Sequence, residues 1–172
     1  MSNILYVHGY RSKFDRNSKK INTLESIGTI VYGLDIDYDN ETREEILKRI
    51  DTFIRDFNID YVVGTSMGGY IAAQSGVPYI SLNPALHIPG YPPFKSYNSK
   101  NLILLNKGDE LFDSYTSFRE LTKNGLDPYL TEGGDHRFSN IDNLAVTALL
   151  REFDSDIFFA NYNLSDGIGD VD

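Results

Sequence analysis

Residues 64–68 read Gly-Thr-Ser-Met-Gly, a serine with a glycine two places to either side. The apolar run Tyr61–Val63 precedes this segment, and Tyr70–Gln74 after it has a helical composition. Between a strand and a helix, a serine so placed sits on a sharp, strained turn that lifts its hydroxyl clear of the backbone. Side chains two residues away would collide, hence Gly64 and Gly68. The hydroxyl would also stand near the positive end of the next helix. The spacing points to Ser66 as a nucleophile.

An alcohol is a weak nucleophile at neutral pH and needs an adjacent base. The chain has three histidines. His136, in Gly133-Gly134-Asp135-His136, follows the last apolar run and precedes a closing helix, where a loop at the sheet edge would present it. His8 ends the first apolar run and His87 lies in a proline-rich loop; the ordinary reading of each is structural. The orienting acid should follow a late strand. Asp109 does so, after Leu102–Leu105 and Gly108. Glu110 and Asp113 compete with it, and Asp135 adjoins the base. The order Ser, acid, His matches one known arrangement of the triad. The acid would fix the imidazole tautomer and stabilise the imidazolium. Two backbone N–H donors, expected at Met67 and Tyr10, would hold a developing oxyanion, at about 3–4 kcal/mol each.

These groups need a scaffold that brings strand ends together. Ile4–Val7, Thr29–Tyr32, Tyr61–Val63, Tyr79–Leu82, Leu102–Leu105 and Pro128–Leu130 read as strands. Helical spacing joins Ile21, Leu24 and Ile27. Thr42 and Glu45 form a capping box before Ile46, Ile50, Phe53, Ile54 and Phe57. Tyr115–Thr122 reads as a helix. Ile141, Leu144, Ala145, Ala148 and Leu149 mark the closing one, with Ser139 as its expected cap. Alternating elements predict an α/β fold with a mostly parallel sheet of about six strands, helices on both faces and a site at the carboxyl ends of the strands.

Residues 83–100 break the pattern. They hold Pro84, Pro89, Pro92 and Pro93, which exclude a helix. An ordered loop over the site is expected, with Tyr91, Phe94 and Tyr97 as a rigid wall for substrate. His8 and Gly9 are expected to border the substrate as well.

Lys and Arg total 16 against 25 Asp and Glu, a net charge of −9. No basic stripe is available for nucleic acid. No apolar run approaches a membrane span, and the start has no signal-peptide pattern. With no cysteine, disulfides and thiolate metal sites are excluded. The simplest expectation is a cytoplasmic protein without cofactor or metal. A hydrolase domain over 1–153 is expected, then an acidic tail over 154–172. That tail is read as a solvated end, or as one whose Ile157–Tyr162 aromatics dock on the body or on a second subunit.

The blocks YVHGYRS, GTSMGGYIAA, LNPAL, GDELFD and EGGDHRF occur in an order that resembles the YqiA-like esterases, a small family of α/β hydrolases. The resemblance spans Ile4 to Phe153. It implies the α/β-hydrolase fold, a triad of Ser66, Asp109 and His136, and an oxyanion loop at His8-Gly9-Tyr10. The chain departs from the family between LNPAL and Leu102, where a longer, partly helical insertion is usual. The leading expectation is a carboxylic ester or thioester hydrolase acting on small acyl substrates. The rivals are an amidase or peptidase on the same triad and a catalytically idle binding module.

Overall fold

Six short, largely buried runs hydrogen-bond side by side into one parallel sheet. The structure is a computed structural model that describes residues 1–166. The strands are β1 (Asn3–Val7), β2 (Ile30–Leu34), β3 (Tyr61–Thr65), β4 (Tyr79–Leu82), β5 (Asn101–Asn106) and β6 (Tyr129–Thr131). The helices are α1 (Lys19–Ser26), α2 (Arg43–Asp56), α3 (Met67–Gln74), α4 (Ser114–Lys123) and α5 (Leu144–Asp166). The strand order is β2-β1-β3-β4-β5-β6, every pair parallel. Strand residues therefore alternate between two cores. Ile4, Tyr61, Val63 and Leu104 face Leu24 of α1 and Val146 and Leu150 of α5. Leu5, Val62, Ile103 and Leu105 face Ile46, Ile50, Ile71 and Leu121 of α2, α3 and α4. Helix on both faces makes the central strands apolar throughout.

The capping box of α2 forms as expected, with the Thr42 side chain accepting from the Glu45 N–H and Glu45 accepting from the Thr42 N–H. Two expectations are corrected. The helix after the serine begins at Met67, three residues before Tyr70, because Gly68 and Gly69 pack close against neighbouring backbone and continue the helix. Ser139 does not cap the closing helix. Its N–H is held by Asp135 at 2.9 Å, and α5 starts at Leu144, where the Asn143 side chain accepts from the Ala145 N–H.

The position expected to open an acidic tail, Asp154, lies inside α5. Its carboxylate accepts from the Tyr61 hydroxyl at 2.9 Å. Burial, then the charge of Asp154, pushes the Tyr61 phenol far up, so it stays a donor. Phe153 packs edge-on to Tyr61, and Ile157 is 3% exposed within the same core. Apolar residues four apart keep the helix seated beyond Phe153. Phe158, Phe159 and Tyr162 are exposed, and residues 167–172 lie outside the described part. Ile157→Ala is expected to destabilise the fold by about 2–4 kcal/mol, as a truncation in a packed core does. The urea midpoint measures it, and no shift would mean that this stretch of α5 does not belong to the core. No helix among the described residues is long and apolar enough to cross a membrane.

Candidate active site

Strand β3 delivers its chain into a turn that only glycines permit. A Cβ on Gly64 would lie 2.0 Å from the Gly68 carbonyl oxygen, and one on Gly68 would lie 2.0 Å from that of Val7. Ser66, between them, has φ 59 and ψ −119. Its carbonyl accepts from the N–H groups of Gly69, Tyr70 and Ala85, which locks the turn to α3 and to the start of the 83–100 loop.

The Ser66 hydroxyl is 2.9 Å from His136 Nε2. The other ring nitrogen, Nδ1, is 3.0 Å from Asp109 Oδ2 and 3.1 Å from Oδ1. The Asp109 side chain is 3% exposed and that of His136 10%. Asp109 Oδ1 also accepts from the N–H groups of Leu111 and Phe112, at 2.8 and 2.9 Å, which fixes its plane. The Phe112 ring meets the imidazole edge-on at 4.7 Å. The three side chains come from the carboxyl ends of β3, β5 and β6. The arrangement can pass a hydroxyl proton to an imidazole whose far nitrogen faces a carboxylate.

The competing carboxylates have other partners. Glu110 accepts the His136 backbone N–H at 3.0 Å. Asp113 caps α4 through the Thr116 N–H, and the hydrogen bond from the Thr116 hydroxyl, more than the N–H, holds its carboxyl below the usual range. Asp135 accepts from the Ser139 N–H, which lowers its carboxyl as well.

Beneath His136 lies a polar platform that sequence reasoning missed. The buried Asn83 side chain donates to the carbonyls of Asp135 and His136 at 2.9 and 3.0 Å. Asn106, fully buried, donates to the Asp135 carbonyl at 2.9 Å and to Asn140 at 2.8 Å. Its own N–H is accepted by Asn83 Oδ1, at 2.8 Å. A polar residue directly after or closing each apolar run, in LNPAL and LILLNK, was the available signal. Among the described residues, four of the five non-glycine residues with positive φ, Arg11, Ser66, Asn83 and Phe138, lie in the segments that border or support this site. Strain of this kind collects where surrounding structure over-determines a functional geometry.

A cavity of about 580 Å³ opens over Ser66, bordered among others by Gly9, Tyr10, Met67, Ile88 and Phe112. Tyr10 and Met67, the residues expected to supply the oxyanion donors, both border it. Among the described residues, neither N–H is engaged by a backbone carbonyl. His8 does not border this cavity, contrary to expectation. It is 1% exposed; its Nε2 accepts the Ile36 N–H at 2.8 Å and its Nδ1 faces the Gly9 carbonyl at 2.8 Å. That pairing fixes one neutral tautomer and ties β1 to the segment after β2.

Tyr91, Phe94 and Tyr97 are corrected too. None of them borders the cavity. Tyr91 and Phe94 pack on Tyr70 of α3, and the Tyr97 N–H donates to Ala73. The loop turns back along α3 because that helix offers an apolar bed. Its wall over Ser66 is built earlier, from Ala85, His87, Ile88 and Pro89. The facing Leu111 and Phe112 had not been singled out. No group of three or more His, Asp or Glu among the described residues is arranged to hold a metal ion.

A family model described as "Uncharacterised protein family (UPF0227)" matches residues 3–100. Ser66 falls inside the match, and Asp109 and His136 follow it. No curated protein matches the sequence. Among solved structures, the chain is similar to a protein from Xanthomonas campestris pv. campestris, provisionally described as a hydrolase of the alpha/beta superfamily. The two share 20% identity over 91% of this chain and 99% of that one, with a TM-score of 0.70. It is also similar to Est1E from Butyrivibrio proteoclasticus, at 16% identity, 91% and 88% coverage, and a TM-score of 0.67. A monoacylglycerol lipase from Paleococcus ferrophilus matches at 15% identity, 88% and 94% coverage, and a TM-score of 0.68. At such identities the likeness carries the fold alone, which is that of the α/β hydrolases.

Proposed function

The chain belongs to the UPF0227 family, and from that premise we propose that it is a serine esterase. Its substrates are carboxylic esters or thioesters with small acyl groups. The observation that carries the reading is the continuous run of contacts from Asp109 through His136 to Ser66, at 3.0 and 2.9 Å, in the floor of a cavity. Ser66 Oγ attacks the carbonyl carbon as its proton passes to His136 Nε2. The carbonyl π pair moves to oxygen, and the N–H groups of Tyr10 and Met67 receive that charge. Collapse expels the alcohol or thiol, which takes the proton from His136. Water then adds to the acyl-enzyme with His136 as base, and the acid leaves.

A fluorophosphonate probe tests this directly. It should phosphonylate the protein once, and peptide mapping should place the label on Ser66. An unlabelled protein, or a label elsewhere, would overturn the reading.

Acyl size follows from the wall. Ala85, Ile88 and Pro89, on a loop stiffened by prolines, and the facing Leu111 and Phe112 bury a short chain with little ordering cost. Each further methylene gains about 0.8 kcal/mol, or roughly fourfold in kcat/KM, only while it stays buried. Across p-nitrophenyl esters of two to sixteen carbons, kcat/KM should rise over the first few carbons and then level off or fall. A steady rise to the longest chains, or a jump at an oil–water interface, would show that the 83–100 loop moves as a lid.

A further inference from the structure

Charge runs against the trend of the chain at one place. Acids outnumber bases 25 to 16 overall, yet among the described residues the cavity over Ser66 is bordered by Arg11, Lys20 and Arg137 and by no Asp or Glu. The three cations arrive from separate segments: the turn after β1, the second residue of α1 and the loop between β6 and α5. None of them forms an ion pair with a described residue, whereas Arg16, Lys19, Arg49, Arg55 and Lys107 each have a carboxylate partner.

Their backbone positions are set by the fold. Arg11 has a left-handed backbone, φ 57, and its guanidinium lies 5.2 Å from the Tyr10 ring centroid. Lys20 is half-buried, and burial brings its ammonium down to about 8; Asp135 nearby raises it and Arg137 lowers it. Asp135 also accepts from the Ser139 N–H. One carboxylate beside three cations leaves a net positive charge at this rim, and an oxyanion that meets them gains charge-assisted hydrogen bonds. Lys20 and Arg137 belong to the layer of α1 and α5. The apolar wall of Ile88, Leu111 and Phe112 belongs to the loops over the opposite layer. Ser66 lies between the two.

We propose that Arg11, Lys20 and Arg137 form a subsite for an oxyanionic group of the substrate, so that the ester cleaved at Ser66 has a short apolar part and carries a carboxylate or phosphate. This deepens the esterase reading and rests on it.

Two measurements separate the readings. The first is the ratio of kcat/KM for p-nitrophenyl hydrogen adipate to that for p-nitrophenyl hexanoate, two acyl chains of equal length that differ in one terminal charge. The ratio should exceed one in the wild type and fall as salt is added. It should drop about tenfold or more in the triple variant Arg11→Gln, Lys20→Met, Arg137→Gln, and about threefold in Arg137→Gln alone, a change at an exposed side chain. A ratio below one, or one that neither variant alters, overturns the subsite. The second is calorimetric binding to Ser66→Ala, which needs no turnover. Monoethyl adipate, or ethyl 4-phosphonooxybutyrate, should bind at least tenfold tighter than diethyl adipate, and the tighter of the two identifies the oxyanion. Equal or weaker binding of both anions overturns the proposal. Loss of all ester hydrolysis in the wild type with anion binding intact would instead sink the esterase reading.

Discussion

Ser66→Ala is expected to lower kcat for a short model ester by about a million-fold, the loss seen when a serine that acts in concert with its base is removed. The size of the effect follows from what is deleted. Ser66 Oγ is the only hydroxyl within reach of His136 Nε2 among the described contacts, at 2.9 Å. Without it the imidazole has no alcohol to activate, and water must attack directly. The turn itself rests on contacts that alanine keeps. The Ser66 carbonyl still accepts from Gly69, Tyr70 and Ala85, and Gly64 and Gly68 still admit the close backbone approach. The circular dichroism spectrum should therefore match that of the wild type. A folded variant that hydrolyses p-nitrophenyl butyrate at near wild-type rate would move the nucleophile elsewhere.

Much of the fold was legible because local and tertiary demands agree. Apolar runs such as Val62-Val63 and Leu102–Leu105 are buried on both faces, as central parallel strands must be, and their alternation with helices dictated the sheet. The position of Ser66 was legible because steric rules leave few sequences for so tight a turn. The cavity wall was not. Tyr91, Phe94 and Tyr97 were assigned to it on composition, but an aromatic goes wherever apolar surface is offered, and α3 offered more than the cavity did. His8 was misplaced for a related reason. Its neighbours in sequence border the site, while its own ring turns inward to satisfy the Ile36 N–H. The platform of Asn83 and Asn106 needed three-dimensional knowledge, because its partners at Asp135 and His136 lie 52, 53 and 29 residues away in sequence. The Ser139 cap failed because Asp135, four residues earlier, holds that N–H in a turn of its own.

Asp109→Asn should reduce kcat by about four orders of magnitude with the fold preserved, whereas Glu110→Gln and Asp113→Asn should each cost far less. The carboxylate of Asp109 accepts from His136 Nδ1–H and so leaves Nε2 free to receive the Ser66 proton. An asparagine amide can instead turn its NH₂ toward Nδ1. That stabilises the opposite tautomer, with the proton on Nε2 and no base facing the serine. The N–H groups of Leu111 and Phe112 favour the amide oxygen on their own side, which aims the NH₂ at the imidazole and strengthens the inversion. Glu110 has a different task. It accepts a backbone N–H from His136, and a glutamine oxygen still accepts it. Asp113 caps α4, and an asparagine caps a helix about as well as an aspartate. All three substitutions replace one carboxylate oxygen by an amide nitrogen at nearly constant volume. Comparing kcat across them on one ester therefore isolates tautomer control from charge alone. A loss for Glu110→Gln or Asp113→Asn as large as that for Asp109→Asn would assign the orienting acid differently.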